Sequence, residues 1–452
     1  MSAKGWALPA KVRHNIGFKL AGTVVEKGLR ALIVFTAARV LGPDAWGRYT
    51  YAFALAMLMV QATDLGLGLF MNRETARHQA ANAELIGQAM TLKALLAAVF
   101  VGATGLVAWA HIDSQHGQTV AVALLLCGGV ALSSSIIESL VHVFRGVQDL
   151  SLEAKVHSMH AVFAVIAGGA ALTASVAMWG WDMPASRRDH TGWLYAGAMF
   201  VAGVLGAIYA FALTRRVVVM QWGLSRSLVR RFRSEVLPLG IAIVASMLYF
   251  RIDVPMIRNL LPPETADAQT GLYTAAYKLL EQTALFPSIL MAAAFPALAE
   301  TVANDPSKAV ALHRTTLRWM LLGGGALCVV FAALSEPIIG LLYGDRFAAS
   351  APVLMALAPC VLLTFVNYLE THMLVALGLV KAQMAISLGL IAVNVGLNWF
   401  WIPLWQGSGA AWATAATEVC LFVAVAPLVR RGLRERVQRL EPSTSQSASE
   451  PS

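Results

Sequence analysis

The chain has 452 residues, 58% of them hydrophobic and 13% charged, with a net charge of +9 and a mean hydropathy of +0.65. Soluble domains run at about 45–50% apolar and about 25% charged, so a single core hiding this much apolar surface would leave too little charge outside to keep it dispersed. Soluble enzymes, disordered scaffolds and secreted disulfide domains are excluded, and a polytopic membrane protein remains.

In chain order, apolar segments fall near residues 17–38, 50–70, 86–110, 119–143, 157–179 and 191–213, then 236–258, 271–298, 316–342, 351–376, 383–403 and 409–429. Their length predicts helices, because barrel strands would alternate over about ten residues. Twelve spans of about 20 residues leave room for short loops and tails only. Residues Met1 to Lys19 are basic and lack a short apolar core with a small-residue cleavage site, which predicts insertion through the first span itself. Cys127, Cys328, Cys360 and Cys420 are scattered through apolar runs without a CxxC, so neither metal nor redox spacing is present.

Basic residues set the orientation. With the N-terminus in the cytoplasm, the inner side holds Lys4, Lys11, Arg13, Lys19, Arg73, Arg77, Arg145 and Lys155, then Arg215, Arg216, Arg226, Arg230, Arg231 and Arg233 of the middle loop. Lys308, Arg314, Arg318, Lys381 and the arginines from Arg430 to Arg439 follow on the same side, whereas Arg39, Arg48, Arg187, Arg188, Arg258 and Arg346 fall outside. Both termini are therefore expected in the cytoplasm, and the charge of +9 is largely a topology signal, with anionic-lipid contact expected at the middle loop. The basic residues are spread over separate loops, which argues against nucleic-acid binding. The organisation expected is an N-terminal six-helix bundle over residues 1–216, an arginine-rich cytoplasmic linker over 217–235, a second six-helix bundle over 236–432 and a disordered tail over 433–452.

The two halves carry an internal repeat. Leu41-Gly42-Pro43-Asp44 matches Leu261-Pro262-Pro263-Glu264, Gly47-Arg48-Tyr49-Thr50 matches Gly271-Leu272-Tyr273-Thr274, Glu74-Thr75 matches Glu300-Thr301, and Glu138, eight residues before Gly146, matches Glu370, eight before Gly378. Six spans per half put both repeats in one orientation, so a pseudo-twofold axis along the membrane normal is expected. Two facing bundles around a central cavity are the plan of an alternating-access transporter.

Charges inside spans are costly, about 2.5–3.5 kcal/mol at a helix centre on insertion scales, and usually face a cavity or a partner. The first span carries Lys19, Thr23, Glu26, Lys27 and Arg30 at spacings expected to put them on one helix face, with Arg30 about 16 Å deeper than Lys19. The seventh carries Arg251 and Asp253, and the eighth carries Lys278 and Glu281 one turn apart. Mutual pairing of Glu26 with Arg30 and of Lys278 with Glu281 is one reading. A cationic cavity for an anionic substrate, built from Lys27, Arg30, Arg251 and Lys278, is the other, because buried pairs seldom stabilise more than apolar packing does. Glu26, Asp64 and Glu281 are candidates for ion coupling. Asp64 is also expected to cap or kink its helix, Lys93 to snorkel to the inner interface, Glu138 and Glu370 to form a structural gate or helix-end contact near the cytoplasmic interface, and Glu418 to pair within the C-terminal bundle. His142, His160 and His372 are isolated, and no metal or cofactor is expected.

At these residues the chain resembles the oligosaccharide and polysaccharide-export flippases (Wzx-type) of the multidrug/oligosaccharidyl-lipid/polysaccharide exporter superfamily. The matching pieces are Leu41-Gly42-Pro43-Asp44-Ala45-Trp46-Gly47-Arg48-Tyr49, Asp64-Leu65-Gly66-Leu67, Gly271-Leu272-Tyr273 and Leu342-Tyr343-Gly344-Asp345-Arg346-Phe347. The resemblance implies a bacterial inner-membrane protein, not an enzyme, that turns undecaprenyl-diphosphate-linked oligosaccharide from the cytoplasmic to the periplasmic leaflet. It also implies cavity cations on the first, seventh and eighth helices, and partners among membrane lipids and other polysaccharide-assembly proteins. Relatives that flip the peptidoglycan precursor usually have fourteen spans. A cation-coupled multidrug exporter of the same superfamily is the alternative, although its cavity should be mainly acidic. A major-facilitator carrier is less favoured, because Asn72-Arg73-Glu74-Thr75 stands where its Gly-Asp-Arg-Gly-Arg-like loop belongs.

Overall fold

The structure, a computed structural model, describes residues 10–77, 83–112, 117–237, 240 and 251–440, with the side chains of 10–21, 77, 235, 439 and 440 left aside. Among the described residues the secondary structure is helical throughout, with no strand. The α-helices are α1 (Ala10–Val60), α2 (Leu67–Arg77), α3 (Ala83–His111), α4 (Gly117–Gly146), α5 (Leu150–Trp179), α6 (Ala185–Val217), α7 (Arg226–Arg231) and α8 (Asp253–Leu260). They continue as α9 (Pro263–Thr283), α10 (Leu285–Asn304), α11 (Pro306–Ala333), α12 (Ser335–Tyr343), α13 (Ala351–Ala376) and α14 (Val380–Leu440).

Among the described residues, eight helices are long and apolar enough to cross a membrane, or nine if one bent pair counts as a span. The number falls short of the twelve expected, and two long helices contain breaks at which two expected spans adjoin. Helix α1 has 51 residues, about 76 Å at 1.5 Å per residue, far longer than a hydrocarbon core of about 30 Å. It breaks at Gly42, whose φ of 74° and ψ of 171° suit only a residue without Cβ, and Pro43 follows. The first two expected spans lie on either side. Helix α14 likewise has 61 residues and breaks at Gln406 (φ 55°, ψ −132°), after Pro403, between the last two expected spans. The seventh expected span, 236–258, falls largely outside the described residues, as do residues 441–452 of the expected disordered tail. Within 433–440 of that tail the chain is still helical, because α14 runs on to Leu440.

Asp64 stands where a short 3-10 turn, Gln61–Thr63, gives way to α2, and the axis bends there by 48°. Leu65 (φ 38°) and Gly66 (φ 85°) both take left-handed backbone. A Cβ on Gly240 would stand 2.0 Å from the Leu65 carbonyl oxygen, so that glycine lets another segment pass close to the bend.

The chain divides into two compact units. The first runs to Thr274 and takes in Leu342–Phe347; the second comprises Ala275–Leu341 and residues from Ala348 onward. In the first unit a core of Leu67, Met71, Met90, Leu140, Phe144 and Val156 is closed to solvent. The second packs α13 against α11 and α14, with Leu354, Leu357, Val361 and Leu369 fully buried. Large apolar side chains such as Val99, Leu106, Ile166, Leu322, Val329 and Phe400 are more than 60% exposed. An aqueous surface does not carry that density of apolar groups, whereas lipid tails cover it without cost.

The sequence repeat has a structural counterpart inside the first unit. A Cβ on Gly47 would stand 1.8 Å from the carbonyl oxygen of Asp267, and one on Gly271 would stand 2.0 Å from that of Pro43. Gly47 and Gly271 are matched in the repeat, and each meets the carbonyl four residues before the other glycine, so the two contacts are reciprocal. The next equivalent pair, Thr50 and Thr274, meets hydroxyl to hydroxyl at 3.2 Å. Residue i touching j′ while j touches i′ is the signature of a local twofold axis.

Candidate functional site

Helix α1 places Glu26 and Arg30 one turn apart, and Arg30 Nε donates to Glu26 Oε1 at 2.9 Å. Arg30 Nη2 reaches Nδ1 of His160 on α5 at 3.1 Å. The Arg30 side chain is 39% exposed while Glu26 is 15% exposed, so the guanidinium is anchored along one edge and open on another. Gly22 makes the approach of α5 possible, because a Cβ there would stand 2.8 Å from that of Ala154.

The charges continue from this pair through α5 and α4. His157 Nδ1 lies 4.0 Å from Glu26, and its Nε2 lies 3.5 Å from Glu138. Arg145 Nη2 is 3.5 Å from Glu138 and 2.7 Å from the buried Glu153. The sequence does not pick out His157, and it leaves His160 isolated. Both face α1 because α5 presents positions 153, 157 and 160 along one stripe. That stripe was legible in the spacing, but its partner helix was not.

Lys27 follows Glu26 by one residue, a turn of about 100°, and is exposed. Arg251 is half-buried at the start of α8, where the neighbouring Asp253 accepts a 2.8 Å hydrogen bond from the Tyr273 hydroxyl. In the second unit Lys278 Nζ donates to Glu281 Oε2 at 2.6 Å, with the two side chains 22% and 29% exposed. The expected pairs are thus both formed, Glu26 with Arg30 and Lys278 with Glu281.

Asp64 has a different partner. Lys93 of α3, expected to snorkel, is only 1% exposed. Its Nζ donates to Ser135 Oγ at 2.8 Å and lies 3.4 Å from Asp64 Oδ1. Snorkelling loses because a carboxylate and a hydroxyl within reach satisfy the ammonium where it stands. Ser139 Oγ also points at Asp64 Oδ1, at 3.5 Å.

The repeat-related glutamates occupy unlike surroundings. Glu138 is 49% exposed, whereas Glu370 is 3% exposed and meets His313 Nε2 at 3.1 Å. Glu418 accepts 2.7 Å from the Asn367 amide, within the second unit. At the Gly42 end of the first unit, buried Arg48 spans two carboxylates. It donates to Asp189 at the start of α6 and, through Nη1, to Asp267 of α9 at 2.9 Å. Arg258 of α8 pairs with the same Asp267. Among the described residues no cluster of His, Cys, Asp and Glu has a metal-binding arrangement, and the four cysteines form no disulfide.

A protein-family model described as "Polysaccharide biosynthesis protein" matches residues 12–302. Sequence comparison with curated proteins finds no match. Among solved structures, the chain is similar to an inward-facing multidrug resistance MATE family transporter of the MOP superfamily, with a TM-score of 0.73 at 13% identity over 91% of this chain and 96% of that one. It is also similar to the lipid II flippase MurJ in an inward closed conformation, with a TM-score of 0.71 at 12% identity over 94% and 90%. The MATE multidrug transporter DinF-BH gives 0.68 at 16% identity over 94% and 96%. At these identities the likeness is one of fold. The chain is a multi-pass membrane protein of the polysaccharide biosynthesis family, with the all-helical fold of MOP superfamily transporters.

Proposed function

We propose that the protein is a flippase that carries a polyprenyl-diphosphate-linked oligosaccharide from the cytoplasmic to the periplasmic leaflet of the inner membrane, by alternating access. The observation that carries this reading is the half-open Arg30 guanidinium, held by Glu26 and His160 in the apolar first unit of a polysaccharide biosynthesis family member. A guanidinium recognises phosphate oxygens with two parallel N–H donors. Glu26 holds the Arg30 charge while no substrate is present, so the guanidinium is never an unpaired ion in a low-dielectric setting. A diphosphate oxygen arriving at the open edge then takes the place of part of that pairing, and His160 keeps the fork oriented.

Lys27, Arg251 and Lys278 are the further cations of this proposal, contributing attraction for the diphosphate. Glu26, Asp64 and Glu281 are its candidates for coupling to an ion gradient. Of these, Glu26 is best placed, because displacement from Arg30 by the diphosphate would free its carboxylate to take a proton or a cation.

The second reading is a cation-coupled multidrug exporter. It is favoured by the fold shared with MATE transporters and by the mostly buried Glu26 carboxylate beside His157. Proteoliposomes separate the two. Under the flippase reading, the purified protein exposes lipid-linked oligosaccharide to a glycosidase added on the opposite side and leaves a cationic dye untransported. Dye export without glycan exposure would establish the exporter instead.

A further inference from the structure

We propose that residues 222–234, the middle loop and its short helix, form a fixed binding site for the phosphate headgroup of an anionic phospholipid. The inference rests on the membrane reading and is independent of what the protein transports.

The segment is built rather than draped. Its backbone joins α3 through Gln221 N–H to the Ala83 carbonyl at 3.2 Å and Gly223 N–H to Thr91 Oγ1 at 3.2 Å. Ser225 Oγ donates to Gln88 Oε1 at 2.6 Å and also accepts from Leu228 N–H, capping α7. Gly87 permits this seat, since a Cβ there would lie 2.0 Å from the Gln221 carbonyl oxygen. Leu228 turns inward onto Phe70 and Val236. Arg231 also turns inward, stacking over Phe70 at 5.2 Å and pairing with buried Glu74 at 3.2 Å.

With Leu228 and Arg231 fixed inward, helical spacing places Arg226, Arg230 and Arg233 together on the outer side. All three are exposed, and among the described residues no ion pair engages them. They line a hollow of about 650 Å³ with Leu224, Ser225, Val229 and Ser234, and among the described residues no carboxylate lines it. Its apolar rim is equally specific. Of its lining, Leu224 and Val229 are 46% and 41% exposed, and Trp222, 59% exposed, stands just before them in the chain, soon after the end of α6 at Val217. Exposed tryptophan and leucine beside a row of arginines is the composition of a segment lying in the membrane interface. A soluble anion would need the guanidiniums alone; a phospholipid uses the arginines for its phosphate and the rim for its glycerol and upper acyl carbons. The occupant is therefore a lipid.

Native mass spectrometry of the delipidated full-length protein tests this with added phosphatidylglycerol or phosphatidylcholine. Wild-type protein is expected to retain phosphatidylglycerol preferentially. The variant Arg226→Gln/Arg230→Gln/Arg233→Gln should lose about a hundredfold in that affinity, about fivefold per arginine near a surface phosphate. A control, Arg430→Gln/Arg434→Gln on the exposed end of α14, should leave it intact. Unchanged phosphatidylglycerol binding in the triple variant overturns the proposal. So does displacement of the lipid by excess inorganic phosphate, which would mark a free-anion site. Should the triple variant misfold, brominated phosphatidylglycerol replaces it as the probe. Quenching of tryptophan fluorescence must be larger in wild-type protein than in Trp222→Phe, and equal quenching overturns the proposal.

Discussion

The reciprocal glycine contact predicts a matched pair of defects. Adding a Cβ at Gly47 brings it to 1.8 Å from the Asp267 carbonyl oxygen and 2.9 Å from Gly271 N, and adding one at Gly271 brings it to 2.0 Å from the Pro43 oxygen. Ordinary contact begins near 3.4 Å, so either alanine forces the two helix starts apart by about 1.5 Å. The obstacles are backbone atoms that cannot rotate away. The Thr50–Thr274 contact at 3.2 Å would be lost in the same movement. Overpacking of this kind costs about 1–3 kcal/mol, occasionally more, and the rigid neighbours put these sites at the upper end. The helix propensity gained from Gly to Ala returns up to about 1 kcal/mol, leaving a net loss of about 2 kcal/mol. Gly28→Ala and Gly102→Ala, with nothing within 4 Å of either Cβ, receive the gain alone. Thermal unfolding in detergent at one scan rate should show Gly47→Ala and Gly271→Ala both lowered by a few degrees and the controls level or raised. A defect at one of the two glycines but not the other would refute the local twofold.

Arg48→Met leaves Asp189 and Asp267 without their shared cation, and removing one partner of a buried ion pair costs about 3–5 kcal/mol; Asp189→Asn should cost less, because Arg48 keeps Asp267 and Asp267 keeps Arg258. The same thermal assay orders the variants, and equal stability of Arg48→Met and wild type would contradict the network. At the helix bend, Asp64→Asn should destabilise more than Lys93→Met, since the first strands a side chain only 2% exposed and the second strands one that is 32% exposed and can hydrate. The reverse order would show that Asp64 does not compensate Lys93. Asp305 caps α11 through Lys308 N–H, and hydrogen bonds from Lys308 and Ser307 hold its carboxyl down to about 2. Its folded value lies below its ordinary one, so the cap is complete at neutral pH and is lost as the pH falls through about 2. Asp305→Ala should therefore speed hydrogen exchange of the first turn of α11 at neutral pH, with no effect expected beyond that turn.

Much of the architecture was legible because it follows from composition and local pattern. Apolar length marks the spans, and the matched Gly47 and Gly271 mark the repeat, although the break at Gly42 and the meeting of the two backbones are seen only in the folded chain. The site was legible only within single helices. Glu26 and Arg30 are four residues apart, and Lys278 and Glu281 three, so their pairing follows from helical geometry. Arg30 and His160 are 130 residues apart, and nothing in the local sequence records which helices pack. Lys93 shows the cost of that gap: a lysine near one end of an apolar run reads as a snorkel until Asp64 and Ser135 stand beside it. Glu138 and Glu370 show the converse. They hold the same place in the repeat, but one sits among Arg145 and His157 in the open and the other is sealed against His313. Repeat position fixes where a residue stands on its helix, while the neighbouring helix fixes its environment.

In the proposed mechanism Arg30 is the group that meets the diphosphate. The direct measurement is the exposure of lipid-linked oligosaccharide in proteoliposomes containing wild-type protein, Arg30→Gln or Arg30→Lys, each present at equal level. Loss of the bidentate fork should abolish flipping in Arg30→Gln, and a point charge should leave Arg30→Lys with a small residue of it. Flipping by Arg30→Gln at the wild-type rate would contradict the account.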